Sequence, residues 1–459
     1  MKPLLSVYGW LMWLAHALLR LKLVRRARAE PGYAVAIDER FGHYSQASEM
    51  ASELVWLHAV SLGETRTAAI LLKALREAHP GLRVLLTHGT ATGRAEGQGL
   101  LRPGDVQVWQ AWDSPAAVAR FFSHFKPRLG LLMETEVWPT TLATALARGV
   151  PMVLVNGRMS ERSLQRALRI GYLSRPSYAA LTAVYAQTES DAMRFRQLGV
   201  AAPTVFGNLK FDATPSESQH TQGKAWRQAL GQPVIMFASS RDGEEDEFFK
   251  QISAQAFTLN GLTAIKKVAN GKPEELSANR VRFLVVPRHP QRFDAVEALA
   301  RQHGLSVSRR SSWRDGPVTD PAAMQFDVWL GDSLGEMALY YALSDVALLG
   351  GSFAPLGGQN LIEAAACGCP LVMGPHTFNF EQAAELAEAA GAARRVPDMA
   401  AAMNLALDLV HDRQVHDRAA AAGLAFAALN RGATEKTLAA LRSYLSSGYK
   451  NTCLAGRDD

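Results

Sequence analysis

The chain has 459 residues, 48% hydrophobic and 20% charged, which is normal for a folded protein but too long for one ordinary core, so two domains are expected. Lys and Arg number 49 against 43 Asp and Glu, a net charge of +6, yet five of the basic residues (Arg20, Lys22, Arg25, Arg26, Arg28) fall within nine positions that hold no acid. The excess is therefore local, which argues against a nucleic-acid partner held by a broad basic face. Three cysteines, Cys367, Cys369 and Cys453, exclude a disulfide framework by number; Cys-Gly-Cys reads as buried packing, no His or Cys pair has zinc spacing, and a reducing, cytosol-facing compartment fits.

Leu4 to Leu19 is apolar apart from Ser6 and His16, and the basic cluster follows it directly. A signal peptide would carry its charge before the apolar run. The stretch reads as a membrane-anchoring helix over residues 1–30, either a short span with its positive flank in the cytoplasm or a helix lying in the interface. The plain alternative is an amphipathic helix packed on the following domain. Arg40-Phe41-Gly42 sits in a polar stretch with no clear pattern.

From there apolar runs alternate with helical patterns. Strands are expected at Leu54 to Ala59, Leu82 to Thr87, Val106 to Trp109, Leu129 to Met133, Met152 to Val155, Ala183 to Ala186 and Thr204 to Phe206, with helices from Thr65, Pro115 and Pro139. The alternation predicts an α/β fold: a parallel sheet wrapped by helices over residues 31–213. Residues 214–224 are polar and rich in turn formers, a linker. The alternation restarts over 225–445, with strands at Val234 to Ala238, Val281 to Val286, Val328 to Leu330, Val346 to Leu349 and Pro370 to Met373. Leu259 to Arg280 has no pattern and reads as an insertion, Arg309 to Pro321 as a loop, and the chain beyond Ala383 as alanine-rich helix.

In open α/β sheets ligands sit outside the carboxyl ends of strands, and the polar clusters fall there; two such sheets facing each other make a cleft. Glu64 follows the first strand and a glycine. It is placed to take a proton from a hydroxyl, or simply to complement a helix dipole. Glu134 and Glu136 flank a threonine after a fully apolar strand, and Lys210, beside Asn208, can bring a positive charge to the same place. In the second half Arg288 follows a strand and Pro287, and its fork suits phosphate oxygens. Gly335-Glu336 opens a helix. Gly350-Gly351-Ser352 and Gly357-Gly358 let the backbone approach a ligand, and the second pair opens a helix expected to carry Gln359, Asn360 and Glu363 in its first turn. Together these suit a nucleotide with few phosphates. No Walker lysine motif and no Asp-x-Asp motif is present, so the sequence requires no metal and implies no cofactor.

Seven stretches in order carry a resemblance: H-A-V-S-L-G-E (58–64), M-E-T-E-V-W-P (133–139), G-N-L-K-F-D (207–212), P-R-H-P-Q-R-F (287–293), G-D-S-L-G-E (331–336), G-G-S-F-A-P-L-G-G-Q-N-L-I-E (350–363) and G-P-H-T-F-N-F (374–380). The chain resembles the bacterial 3-deoxy-D-manno-octulosonic acid (Kdo) transferases of lipopolysaccharide biosynthesis over nearly its whole length. The resemblance implies a type-B glycosyltransferase fold, two Rossmann-like domains facing across a cleft. It implies transfer of Kdo from CMP-Kdo to a tetraacyl lipid A precursor (lipid IVA), with inversion and no metal, at the cytoplasmic face of the inner membrane. The family's base falls on Glu64 and its transition-state stabilisers on Glu134 and Lys210. Its CMP contacts fall on Pro287, Arg288, Leu334, Gly335, Glu336, Asn360, Leu361, Ile362 and Glu363. Gln359 stands where the family often has histidine, and Ser239-Ser240-Arg241-Asp242 where it often has histidine after Ser-Thr. Two other readings compete: a membrane-associated transferase for another nucleotide sugar, and a non-catalytic lipid-binding protein on the same fold.

Overall fold

The computed structural model describes residues 2–46, 54–254, 281–320 and 323–446; the proposed insertion, Leu259 to Arg280, and Cys453 lie outside the described residues. The chain forms two compact units, Met1–Asp212 with Asn430–Asp459, and Ala213–Leu429.

The first unit is a parallel sheet of β1 (Val55–His58), β2 (Val84–His88), β3 (Val106–Trp109), β4 (Leu129–Met133), β5 (Met152–Gly157), β6 (Ala183–Ala186) and β7 (Thr204–Val205), in the order β3-β2-β1-β4-β5-β6-β7. Residues of β1, β2, β4 and β5 are all buried, because helices cover both faces of the sheet; hence they read as continuous apolar runs. Neighbouring residues of a strand serve opposite cores. Trp56 joins Phe121, Phe122, Leu154 and Phe195, while Leu57 joins Leu71, Leu75, Leu86 and Val155.

That second core also takes Ala433, Leu441 and Leu445 from the helix Ala433–Leu445. Asp212 fixes the helix start by accepting the main-chain N–H of Gly432 and of Thr434. Residues 430–445 therefore belong with the first unit, which corrects the expected extent of 225–445 for the second. The residues with no assigned structure near Arg40 form the 3-10 turn Ile37–Phe41; the Arg40 guanidinium is buried over the Trp109 ring and donates to the Gly89 carbonyl at 2.9 Å.

The N-terminal helix runs from Lys2 to Ala29, so the basic cluster lies inside it rather than after it. One side seats on the first unit: Leu23 is buried with Tyr33 and Trp109, and His16 bonds Ser114 at 3.1 Å. The other side exposes Val7, Trp10, Leu11, Leu14, Leu18, Leu21 and Val24, a stripe at helical spacing. By length and composition Val7–Ala29 is sufficient to cross a membrane.

The second unit is a parallel sheet of β8 (Val234–Ser240), β9 (Arg282–Pro287), β10 (Val307–Arg309), β11 (Val328–Leu330), β12 (Val346–Leu349), β13 (Leu371–Met373) and β14 (Ala393–Arg395), in the order β10-β11-β9-β8-β12-β13-β14. The edge strands β10 and β14 were not expected: β10 reaches the expected loop only at Arg309, and β14 falls in the stretch expected to be helix. Each has three residues and carries arginine, too short and too polar to show as an apolar run. Cys367 and Cys369 are buried free thiols, as the packing reading expects.

Both units are Rossmann-like. In each sheet the strand order reverses beside the first strand, between β1 and β4 and between β8 and β12. The crevice outside the carboxyl ends of such a pair is where these sheets take ligands.

Candidate active site

Glu64 lies just past β1 at the reversal of the first sheet. Its helix begins at Leu62, three residues earlier than the sequence pattern indicates, because Ser61 caps it: Ser61 Oγ accepts the Glu64 N–H at 3.4 Å. The Glu64 carboxylate folds back in turn, taking the Val60 N–H on Oε2 at 2.8 Å and the Ser61 hydroxyl on Oε1 at 3.1 Å. This is a variant of the capping box, with the return bond taken from the Val60 N–H in place of the Ser61 N–H, so the dipole role and the chemical role fall on one residue. Burial lifts the Glu64 pKa to about 7; Glu134 and Glu136 add to the rise, and the bonds from Val60 and Ser61 oppose it. A carboxylate titrating there can both take and release a proton at neutral pH.

Two buried histidines lie beneath the loop that carries those donors, His88 bonded to its start and His58 tying β1 to β2. His88 Nδ1 bonds the Ala59 carbonyl at 2.9 Å, and His58 Nδ1 bonds Thr87 Oγ1 at 2.8 Å. Thr90 Oγ1 donates to the Val60 carbonyl at 2.9 Å.

Across the reversal, Glu134 follows β4 with φ 58, a left-handed conformation that costs a non-glycine residue on the order of 1–3 kcal/mol. Its main chain is held on both sides, by the Val155 carbonyl at 3.0 Å and the Arg158 N–H at 3.2 Å. Lys210 Nζ donates to Glu134 Oε1 at 3.2 Å. Glu136 accepts the Trp138 indole N–H at 2.9 Å, and burial raises its pKa. The structure thus gathers Glu64, Glu134, Glu136 and Lys210 in one unit.

A chain of amides, of which the sequence reading named only Asn208, sets Lys210 in place. Asn156, 2% exposed and at φ 55, accepts the Leu209 N–H on Oδ1 at 3.0 Å. Its carbonyl accepts Gln187 Nε2 at 3.0 Å, Gln187 Oε1 accepts Asn208 Nδ2 at 3.1 Å, and Asn208 Oδ1 accepts the Lys210 N–H at 3.0 Å. The available signal was an Asn at a strand end, a type that tolerates left-handed backbone.

In the second unit the loops after β11, β9, β8, β12 and β13 line one edge of the sheet in that spatial order. Pro287 ends β9 with its side chain buried, and Arg288 follows, its Nε donating to Gln359 Oε1 at 3.2 Å. The helix expected to start beside Gly357-Gly358 starts at Ile362 instead and has five residues. Gly357 and Gly358 take φ 89 and 74, and Asn360 Oδ1 accepts the Ile362 N–H at 3.1 Å, so Gln359 and Asn360 lie in the approach to the helix and not in its first turn. Leu361 and Ile362 are buried and offer a ligand only main chain, whereas the Leu334 side chain is 73% exposed. Gly335 takes φ 78 and its carbonyl accepts Gln219 Nε2 at 2.8 Å. Glu336 is paired with Arg310 at 3.1 Å, and that guanidinium stacks over Trp226 and near Trp313. Arg310 went unnoticed because it lay in an apparent loop. Glu363 is half-buried within its helix.

Residues 36–213 match the family described as 3-Deoxy-D-manno-octulosonic-acid transferase (kdotransferase). A 3-deoxy-D-manno-octulosonic acid transferase of Bordetella pertussis is 46% identical over 428 residues, 92% of this chain and 95% of the relative. The chain belongs to the Kdo transferase family. A second Kdo transferase, of Haemophilus influenzae, is 28% identical over 90% of this chain and 92% of its own. Two solved structures share the fold. A Rickettsia africae glycosyltransferase matches with TM-score 0.52 at 11% identity, over 86% of this chain and 100% of that one. A Neisseria meningitidis UDP-GlcNAc 2-epimerase matches with TM-score 0.53 at 14% identity, over 84% and 99%. The architecture is the two-domain one of type-B glycosyltransferases, and a Kdo transferase is an enzyme of that class. In this Kdo transferase the first unit holds the carboxylate cluster with Lys210, and the second holds the strand-end loops with Arg288. Among the described residues no group of three His, Cys, Asp or Glu side chains is placed to hold a metal ion.

Proposed function

We propose that this Kdo transferase moves Kdo from CMP-Kdo to lipid IVA, with inversion at the anomeric carbon, at the cytoplasmic face of the inner membrane. The observation that carries the proposal is Glu64: a carboxylate fixed at a strand end, bonded to Val60 N–H and Ser61 hydroxyl, with its pKa raised to about 7. Such a group is a general base for a sugar hydroxyl.

In the proposed step Glu64 takes the acceptor hydroxyl proton as that oxygen bonds the anomeric carbon. The bond from that carbon to the CMP phosphate oxygen breaks, and its electron pair leaves with CMP. Inversion places base and leaving group on opposite faces of the sugar, as for the water-activating carboxylate of inverting glycosidases. Lys210, oriented by Glu134, balances charge that develops in the transition state. Arg288, Glu336, Glu363 and the main chain of residues 334–336 and 360–362 are the proposed CMP contacts. No metal or cofactor enters the step.

Membrane association rests on the exposed stripe of the N-terminal helix and on Arg20, Lys22, Arg25 and Arg28, which suit anionic lipid. Thermal unfolding with CMP, UDP, GDP and ADP tests the donor. CMP at ~100 times its dissociation constant adds about 2.7 kcal/mol of stability. A larger effect from another nucleotide overturns the CMP-Kdo reading.

A further inference from the structure

Glu244 is a carboxylate that no ligand-binding role requires, 3% exposed and surrounded by main-chain donors. It opens the helical residues 244–254 after β8. Oε2 accepts the Gly351 N–H at 2.7 Å and the Arg241 N–H at 3.1 Å. Oε1 accepts the Phe353 N–H at 3.0 Å and the Ala354 N–H at 3.1 Å. Three of these donors belong to the loop after β12. Successive N–H groups turned toward one point form a concave anion site, and here the chain fills it with its own carboxylate.

The filled nest ties the two loops that flank the strand reversal of the second sheet. The loop after β12 is held closely elsewhere too: a Cβ at Gly350 would collide with the Ser239 carbonyl, and Gly374 N–H bonds Ser352 Oγ at 2.8 Å. From Gly351 the order passes outward. Its carbonyl accepts the Gly358 N–H at 2.7 Å, and a Cβ on it would lie 3.2 Å from Gln359 Nε2. Gln359 Oε1 in turn accepts Arg288 Nε at 3.2 Å.

We propose that Glu244 is a positioning residue for the donor: its carboxylate fixes the Gly350–Ala354 turn and, through Gly351, the Gly358–Gln359 segment and the Arg288 guanidinium. The proposal rests on the reading that this unit binds CMP. Glu244 acts on donor affinity and not on proton transfer, since the base lies in the other unit.

The test uses the full chain. Amide hydrogen exchange of the wild type without nucleotide comes first, and Gly351, Phe353 and Ala354 are expected to be protected at least a hundredfold. Exchange at unprotected rates overturns the filled nest whatever nucleotide the enzyme prefers. Second, CMP affinity and donor kinetics are compared for wild type, Glu244→Gln and Glu244→Ala. Tenfold or greater loss of CMP affinity is expected in both variants, with donor KM raised in step. At saturating donor kcat falls less than threefold, and the acid limb of the pH profile stays in place. Sodium formate, a free carboxylate, restores affinity to Glu244→Ala and not to the wild type. Affinity within twofold of wild type in both variants, or a loss of kcat at unchanged KM, overturns the positioning role. Wild type that ignores CMP but protects the three amides sinks the CMP reading and leaves the nest standing.

Discussion

Lys210 Nζ lies 3.2 Å from Glu134 Oε1 although 76 positions separate the two in sequence. Glu134 raises the Glu64 pKa by its charge. Lys210 therefore bears on the proposed base at one remove, by neutralising a carboxylate that would otherwise repel the Glu64 anion. Removing the Glu134 charge in Glu134→Gln makes Glu64 easier to ionise, so the acid limb of kcat/KM moves down from about 7. Lys210→Met moves the same limb up. Both variants also lose rate, so the position of the limb is the diagnostic reading. Limbs that stay at the wild-type pH in both variants would show that the charges do not communicate.

Asn156 makes its own prediction because backbone and side-chain effects separate there. Asn156→Gly keeps the left-handed conformation and leaves the Leu209 N–H buried without its acceptor, a loss of about 1–3 kcal/mol in urea unfolding. Asn156→Ala adds about 1–2 kcal/mol for a Cβ in that conformation. In both, transfer is expected to fall because Lys210 drifts, while the proposed CMP binding by the other unit is retained. Glycine and alanine variants of equal stability would contradict the backbone part of the account.

Acid stability follows from the two histidines under the Glu64 loop. Burial depresses His58 to about 3 and His88 to about 4, below the 6.5 of an exposed imidazole. The unfolded chain therefore binds more protons below pH 6.5, and stability is lost as pH falls from there toward those depressed values. Each histidine contributes up to about 1.4 kcal/mol per pH unit over that window. His88→Gln should flatten the fall of stability between pH 6.5 and 5; an unchanged slope would mean that His88 keeps an ordinary pKa when folded.

The proposed membrane contact is tested on the exposed stripe. Leu14→Glu with Leu18→Glu removes two apolar side chains that the structure leaves uncovered, about 3–6 kcal/mol of vesicle binding if both insert. Co-sedimentation with vesicles containing phosphatidylglycerol should fall sharply, and salt at 1 M, where the Debye length is about 3 Å, should weaken what remains. Undiminished sedimentation of the double variant would place the contact elsewhere.

Much of this was legible in the sequence, for physical reasons particular to each element. Strands buried on both faces, such as Leu129–Met133, are written as unbroken apolar runs and stood out. Glu64, Glu134, Lys210 and Arg288 stood out as charges following apolar runs, whereas the pairing of Lys210 with Glu134 and of Arg288 with Gln359 is seen only in the fold. The edge strand Ala393–Arg395 was not, since an edge has little apolar surface to bury. Neither was the return of Ala433–Leu445 to the first unit, because its small apolar face fits either core by composition. Asn156, Gln187 and Glu244 act through main-chain partners, and a sequence shows side chains, not which N–H groups lack an acceptor. The Gly357-Gly358 pair was read as a helix start when its left-handed backbone instead delays the helix to Ile362.

The central claim is that Glu64 takes a proton from a lipid hydroxyl while CMP leaves Kdo. The most direct measurement is mass spectrometry of lipid IVA after incubation with CMP-Kdo generated in place, using wild type and Glu64→Gln side by side. The account predicts a gain of Kdo mass with wild type, and with Glu64→Gln a rate lower by about 10²–10⁴-fold at undiminished CMP affinity. Lipid IVA unchanged by wild type, or a Glu64→Gln enzyme within tenfold of it, would contradict the account.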